Sequence, residues 1–396
     1  MNSGLFFIVI LSLLGLLTAL IAERVALRSA RSRLRLVVQV NGTRGKSTVT
    51  RMAHELLRLA GYCCYAKATG TEPRILLPDG GERRIGRMAR ANVREQRWFM
   101  LYAASRGADA LVVECNGVLP SAQEASEGYL RADVLILTNA RDDHRPELSS
   151  AEGAARSFSL SMPRGGSVIG ADPRFASLWA GEAGVKGSRY IAAATETEGG
   201  PFPENRACIK ALADLIGVDP ALVDQAAASY RRDPGSLALL SLERCGGPPL
   251  LYADATAAND PESSLLAMNE AIRQAGETLP AGFKTCVVLA ARRDRPDRSM
   301  QLIGMMADIA SGRVAFRPVC RYYCVGGLPL SALRRASAIG LRRFGSTREL
   351  TDELIREAEG SGSGLLVLGV GNAVGCGGEL RSWAEAATTR EAMHGL

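Results

Sequence analysis

The run Asn41-Gly42-Thr43-Arg44-Gly45-Lys46-Ser47-Thr48 concentrates the residue types that hold a phosphate group. Gly42 and Gly45 let backbone N–H groups turn inward toward phosphate oxygens. Lys46 supplies a point charge for β- and γ-phosphates, and the Ser47 hydroxyl can ligate Mg²⁺ at a helix N-terminus. The full pattern would place Gly at position 40, where Val40 stands, so this is the G-x-x-G-K-S variant. Two further residues suit the same cradle. Glu114 closes the apolar run Ala-Leu-Val-Val-Glu, where a carboxylate at the C-terminal edge of a parallel sheet meets a ligand crevice and a metal ion. His144 ends Thr138-Asn139-Ala140-Arg141-Asp142-Asp143-His144, and its imidazole can complete a metal shell beside carboxylate and phosphate oxygens. The candidate metal set is therefore Ser47, Glu114 and His144. His54, read on the polar side of its helix, and His394, in the tail, carry no such role.

Residues of this kind need a sheet edge to stand on. Apolar, β-branched runs recur at Leu36–Val40, Ala110–Cys115, Val134–Thr138, Ser167–Gly170, Cys286–Ala290, Tyr322–Val325 and Leu365–Val370. They read as strands buried on both faces rather than alternating ones. Between the first two, Val49, Met52, Ala53, Leu56, Leu57 and Ala60 follow helical spacing, with Gly61 as the stop. Alternating strands and helices predict an α/β chain with parallel sheets joined by right-handed crossovers. Strand signal is missing from about residue 171 to 249, a mostly helical stretch. Arg231-Arg232-Asp233-Pro234-Gly235 is the best hinge. The expected organisation is 1–35 as anchor and basic flank, 36–240 as a phosphate-loop ATP-binding domain, and 241–396 as a smaller Rossmann-like domain.

Composition narrows the partners. With 396 residues, 47% apolar and 22% charged, the chain is folded and large enough for two domains. The net charge of +7 admits nucleic acid, lipid headgroups or nucleotide phosphates. Five Arg against one Glu in residues 23–35 account for most of it, leaving no basic stripe for nucleic acid. Nine scattered Cys, with no His at zinc-ligand spacing, suit a reduced chain that uses Cys as a small apolar residue.

Those five Arg follow Gly4–Ala22, an uncharged, Pro-free run. As a helix it is about 28 Å long, close to a hydrocarbon core of about 30 Å. A cleaved signal peptide fits less well, because Met1-Asn2-Ser3 carries no basic residue and the run ends without a convincing small-x-small site. A basic flank stays in the cytoplasm, which predicts a single-pass protein of the cytoplasmic membrane with its catalytic domains inside.

Asn41–Thr48, Ala91-Asn92, Val113-Glu114-Cys115 and Thr138-Asn139…Asp143-His144 resemble the successive motifs of the Mur ligase superfamily. The resemblance sharpens toward its poly-γ-glutamate synthase branch, of capsule-type polymer assembly. The phrases that carry it are Thr69–Arg74, Ala91–Gln96, Ala257–Ser263 and Gly369–Gly375. It covers essentially the whole chain. It implies a Mur-ligase-like central ATPase domain and an ATP- and Mg²⁺-dependent amide ligase. Such an enzyme polymerises glutamate through γ-linkages by way of an acyl phosphate. It implies that Asn41, Gly42, Thr43, Arg44, Gly45, Lys46, Ser47 and Thr48 hold ATP phosphates, with Lys46, Glu114 and His144 catalytic. Asn205 would meet adenine, and Asp254 would be the second-domain acid that closes toward the nucleotide. Arg74, Asn92, Asn259 and Asn372 would bind substrate, while Arg231, Arg232 and Arg244 compete for a role toward ATP. The partners implied are glutamate, the growing polymer and small multi-span membrane subunits, with a homo-oligomer left open.

The sequence also departs from that pattern. Gly153–Phe158 lacks the Lys that many relatives carbamylate, and Ala255-Thr256 replaces a Lys after the second-domain acid. The nucleotide-sugar domain of the cell-wall enzymes is missing, which argues against a UDP-linked acceptor. Asn139-Ala140-Arg141-Asp142 lacks the Lys of a guanine-reading motif, and Gly369–Gly375 is not spaced as a dinucleotide fingerprint. Cys115 has no neighbouring general base and reads as packing. Two alternatives stay open: another amino-acid ligase of the folylpolyglutamate kind, and a membrane-tethered ATPase that serves assembly or regulation.

Overall fold

The structure, a computed structural model, describes residues 3–70, 73–86, 92–141, 150–194, 203–233, 236–242, 247–258 and 260–392. The chain divides into two compact units between Arg231 and Arg232.

The first unit opens with α1 (Ser3–Arg33), β1 (Leu36–Asn41), α2 (Lys46–Leu59), β2 (Cys64–Ala68), β3 (Arg74–Leu76) and β4 (Glu82–Arg84). It continues through α3 (Arg94–Ala104), β5 (Ala110–Glu114), α4 (Pro120–Leu130), β6 (Val134–Leu137), α5 (Ala151–Ser159) and β7 (Ser167–Gly170). It ends with α6 (Ala176–Val185), β8 (Arg189–Ala192), α7 (Pro203–Ile216) and α8 (Ala221–Ser229). Its strands form one sheet in the order β4-β3-β2-β5-β1-β6-β7-β8, parallel except for the β3 and β4 ribbon at one edge. β1 lies between β5 and β6, so its C-terminal end is the switch point at which an open α/β sheet offers a crevice.

The second unit contains β9 (Ala238–Leu242), β10 (Leu250–Asp254), α9 (Pro261–Thr278), β11 (Lys284–Ala291), α10 (Pro296–Ala310) and β12 (Arg321–Gly326). α11 (Leu333–Ala338), β13 (Arg342–Phe344), α12 (Thr347–Glu359), β14 (Leu365–Gly371) and α13 (Cys376–Ala392) complete it. Its sheet order is β13-β12-β11-β14-β10-β9, with only β9 antiparallel.

All seven expected strands form, and their continuous burial explains why they read as unbroken apolar runs. The helical reading of residues 171–249 is corrected. β8 and β9 lie inside it as edge strands, β8 exposed or half-buried and β9 built largely of Leu and Ala, which suit a helix as well. His54 is corrected as well. It is 4% exposed because its side chain turns toward the sheet, beside the backbone of Cys64 on β2 and of Leu77 just after β3. Its Nε2 lies 3.2 Å from the Cys64 carbonyl oxygen. Burial lowers its pKa to about 4, since a charged imidazole there would lose its hydration.

α1 is, among the described residues, the one helix long and apolar enough to cross a membrane, and its apolar side chains from Phe7 to Ile21 are exposed. From Glu23 onward one face joins the domain. Leu27, Ala30 and Leu34 pack in a cluster with Phe99, Met100 and Ala103 of α3, and Arg31 Nη2 reaches Asp133 Oδ1 at 2.5 Å.

Candidate nucleotide site

The phosphate-loop residues leave the C-terminal end of β1 and enter α2 at Lys46. Gly45 is the residue before the helix, at φ 80°, and brings no side chain to cap it. An L side chain strains in that backbone region, and a Cβ there would collide with Asn205 Oδ1. Gly42, at φ 131°, is equally constrained, because a Cβ would strike Thr138 Oγ1.

The loop is pinned from the end of β6. Thr43 N donates to the Asn139 carbonyl at 2.9 Å, and Arg44 N donates to Asn139 Oδ1 at 2.9 Å. Thr138 Oγ1 donates to the Arg44 carbonyl at 2.5 Å, and Arg141 N donates to Thr43 Oγ1 at 3.0 Å. Asn41 is buried beneath, with Nδ2 donating to Gln123 Oε1 at 2.6 Å and Ser161 Oγ at 3.0 Å. Its Oδ1 accepts from Gly42 N at 2.8 Å. Lys46 Nζ folds back to the Gly42 and Thr43 carbonyls at 2.7 and 3.0 Å, so its charge lies along the loop rather than out in solvent.

Glu114 ends β5, the neighbour of β1, and the parallel register sets it opposite Val40. It is 3% exposed, accepts from Thr69 N at 2.5 Å, and accepts from Ser47 Oγ at both oxygens. A carboxylate and a hydroxyl at the foot of a phosphate loop form an oxygen donor set for a hard divalent cation. Among the described residues no three His, Cys, Asp or Glu side chains cluster. Asn205, on α7, is buried against the loop. Its Oδ1 has no hydrogen-bond partner among the described residues, as an acceptor waiting for a ligand's donor would have. Loop, donor pair and orphaned acceptor together fit a nucleoside triphosphate with a divalent ion.

His144, Asn259 and Arg244 lie outside the described residues. Asn92 is exposed at the start of α3, where its Oδ1 accepts from Arg94 N at 2.9 Å and its carbonyl accepts from Asn116 Nδ2 at 3.3 Å. Arg74, on β3, faces Glu82 Oε2 at 3.5 Å. Glu82 also pairs with buried Arg51 and stands 4.0 Å from Arg231 Nε, which draws Arg231 into that ion cluster. Arg232 donates to the Leu237 carbonyl at 3.4 Å. In the second unit, Asp254 ends β10 and Asn372 directly follows its parallel neighbour β14, at the same end of the sheet. Asp254 Oδ1 accepts from Thr256 Oγ1 at 2.6 Å, and burial raises its pKa against the pull of that bond. Asn372 Oδ1 accepts from Arg298 Nη1 at 2.8 Å.

Several residues escaped sequence reasoning. Lys67 of β2 is fully buried and holds Glu95 Oε2 at 3.1 Å beside Asn92. A lone Lys inside the apolar strand Cys-Tyr-Ala-Lys-Ala was the available signal. Gln123 and Arg298 carried none, because a polar residue on a helix reads as solvated until its partner is known. Cys115 is buried, and burial raises its thiol pKa, which agrees with a packing role.

Residues 240–387 match the family described as the poly-gamma-glutamate synthase CapB C-terminal domain. Along 354 residues the chain is 26% identical to PGA synthase CapB of Bacillus subtilis, covering 85% of this chain and 86% of that one. E. coli FolC in complex with ADP superposes with a TM-score of 0.68 at 19% identity, covering 94% of each chain. MurF from Acinetobacter baumannii superposes with a TM-score of 0.66 at 16% identity, covering 90% of this chain and 78% of that one. The chain is thus a relative of CapB with the fold shared by FolC and the Mur ligase MurF.

Proposed function

We propose, from that kinship, that the chain is an ATP-dependent amide ligase that joins glutamate units through γ-linkages. The observation that carries the reading is the Ser47–Glu114 pair at the foot of a loop locked open by Thr138 and Asn139. A ligase of this kind must bring a carboxylate onto a triphosphate, two anions that repel. Lys46 would release its loop carbonyls to meet phosphate oxygens, and the loop N–H groups would take their share of the charge. A divalent cation held by Ser47 and Glu114, with Mg²⁺ the natural choice, would neutralise phosphate charge during transfer.

In the reaction the γ-carboxylate oxygen attacks the terminal phosphorus, the bond to ADP breaks, and an acyl phosphate forms. The amine of an incoming glutamate then attacks the acyl carbon, phosphate leaves, and the amine proton passes to solvent or a nearby base. No protein nucleophile is required, and positioning supplies most of the rate. Arg74 and Asn92 in the first unit, and Asn259 and Asn372 in the second, are the substrate contacts of this reading. Asn205 and Asp254 serve the nucleotide, and His144 joins the metal shell. α1 anchors the enzyme, with its folded units in the cytoplasm. One helix offers no conduit for a polyanion, so small multi-span membrane subunits would complete an exporting complex.

Purified full-length chain incubated with ATP, Mg²⁺ and glutamate tests this. ADP release that depends on glutamate and yields a γ-linked product is expected. Turnover indifferent to glutamate would favour an assembly ATPase instead.

A further inference from the structure

The outer face of α3 carries Arg94, Trp98, Tyr102 and Arg106, each four residues after the last, so they form one stripe along the helix. Arg106 follows the end of α3 and stacks its guanidinium 3.7 Å from the Tyr102 ring centre. Trp98 is 47% exposed, and its ring centre lies 5.3 Å from that of Tyr102. The same helix packs its other face on α1, and Arg97, beside Trp98, forms an ion pair with Glu23. Glu23 is the first residue after the apolar run, so this ion pair marks the level at which α1 would leave the hydrocarbon. Trp98 therefore stands laterally beside the anchor at that level. Indole rings favour this depth, with the apolar body inward and the N–H toward headgroups. Arg24 and Arg28, exposed on α1, continue the basic surface next to it.

We propose that the Arg94–Trp98–Tyr102–Arg106 stripe is a second membrane contact, seated in the headgroup region of an anionic leaflet. Arginines pair with lipid phosphates there, and Trp98 enters the acyl boundary. This rests on the reading of α1 as a membrane anchor. Two contacts in place of one would stop the domain from swivelling about α1, and would hold Asn92, two residues before the stripe, at a fixed height above the bilayer.

Tryptophan quenching in the full-length chain tests it. The chain is reconstituted into phosphatidylcholine–phosphatidylglycerol vesicles whose acyl chains are brominated at shallow positions. The chain has 3 Trp, and Trp179 is fully buried in the protein. Shallow bromines should remove roughly a third of the emission, deep ones less, and Trp98→Phe or Trp98→Tyr should abolish the loss. A chain that floats with the vesicles yet shows no quenching overturns the proposal, as does quenching that survives in the variants. The first of these results also leaves the stripe to a protein partner. A chain that does not float with vesicles overturns the anchor reading and this contact with it.

Discussion

Ser47 Oγ lies 3.1 and 3.0 Å from the two carboxylate oxygens of Glu114, joining the first turn of α2 to the end of β5. The pair exists because β1 and β5 are parallel neighbours, so a loop leaving one and a carboxylate ending the other emerge at the same edge. Glu114→Gln keeps the shape but loses the charge a divalent ion needs. ATP turnover should fall roughly 100-fold or more, and the Mg²⁺ concentration for half-maximal activity should rise. Steady-state assays over a Mg²⁺ series check this, and an unchanged Mg²⁺ dependence would remove Glu114 from the metal.

Gly45→Ala places a Cβ into Asn205 Oδ1 on a backbone with φ 80°. Nucleotide binding measured by calorimetry should be lost, with a drop in melting temperature of several degrees, as about 1–3 kcal/mol of strain implies. Asn205→Gly in the same chain clears the collision but not the φ, so it should recover only part of the stability. Full recovery would show that backbone conformation is not limiting there.

His54 ties acid sensitivity to one buried ring. Its folded-state pKa of about 4 is below the ordinary 6.5, so the unfolded chain binds the proton more readily. Stability from this residue is complete above pH 6.5 and is lost as pH falls toward 4, by about 3 kcal/mol in all. Urea unfolding at pH 7 and pH 5 should differ more in the wild type than in His54→Gln. Equal differences would refute the assignment.

Cys286 and Cys320, on neighbouring strand ends of the second unit, hold their sulfurs 3.3 Å apart. A hydrogen bond from Cys286 lowers the Cys320 thiol pKa below its ordinary value. Iodoacetamide should alkylate Cys320 with a midpoint at lower pH than an ordinary thiol, and Cys286→Ala should raise that midpoint, as peptide mapping would reveal. A midpoint insensitive to Cys286 would contradict the pairing.

The sheet cores were legible because strands buried on both faces leave unbroken apolar runs, as Leu36–Asn41 and Leu365–Gly371 do. β8 was not, since it buries too little to leave that mark, and β9 was not, since its Leu and Ala suit a helix equally well. The phosphate loop and Glu114 could be read from residue type and strand context. The Asn139 bonds to the loop and the Arg51–Glu82 pair needed the fold, because the two partners lie 95 and 31 residues apart. His54 shows the same limit. A helix face looks polar until the elements that cover it, here β2 and the segment after β3, are known.

α1 runs without a break from its apolar segment to Arg33, and β1 begins only a few residues later. Residues 23–33 rise about 15 Å as helix, and residues 34–42 reach at most about 30 Å further. An anchor built this way is a stilt rather than a leash. If it is embedded, the phosphate loop works inside a shell no deeper than about 45 Å from the lipid. Every bond the enzyme makes would then form within a few nanometres of the lipid surface.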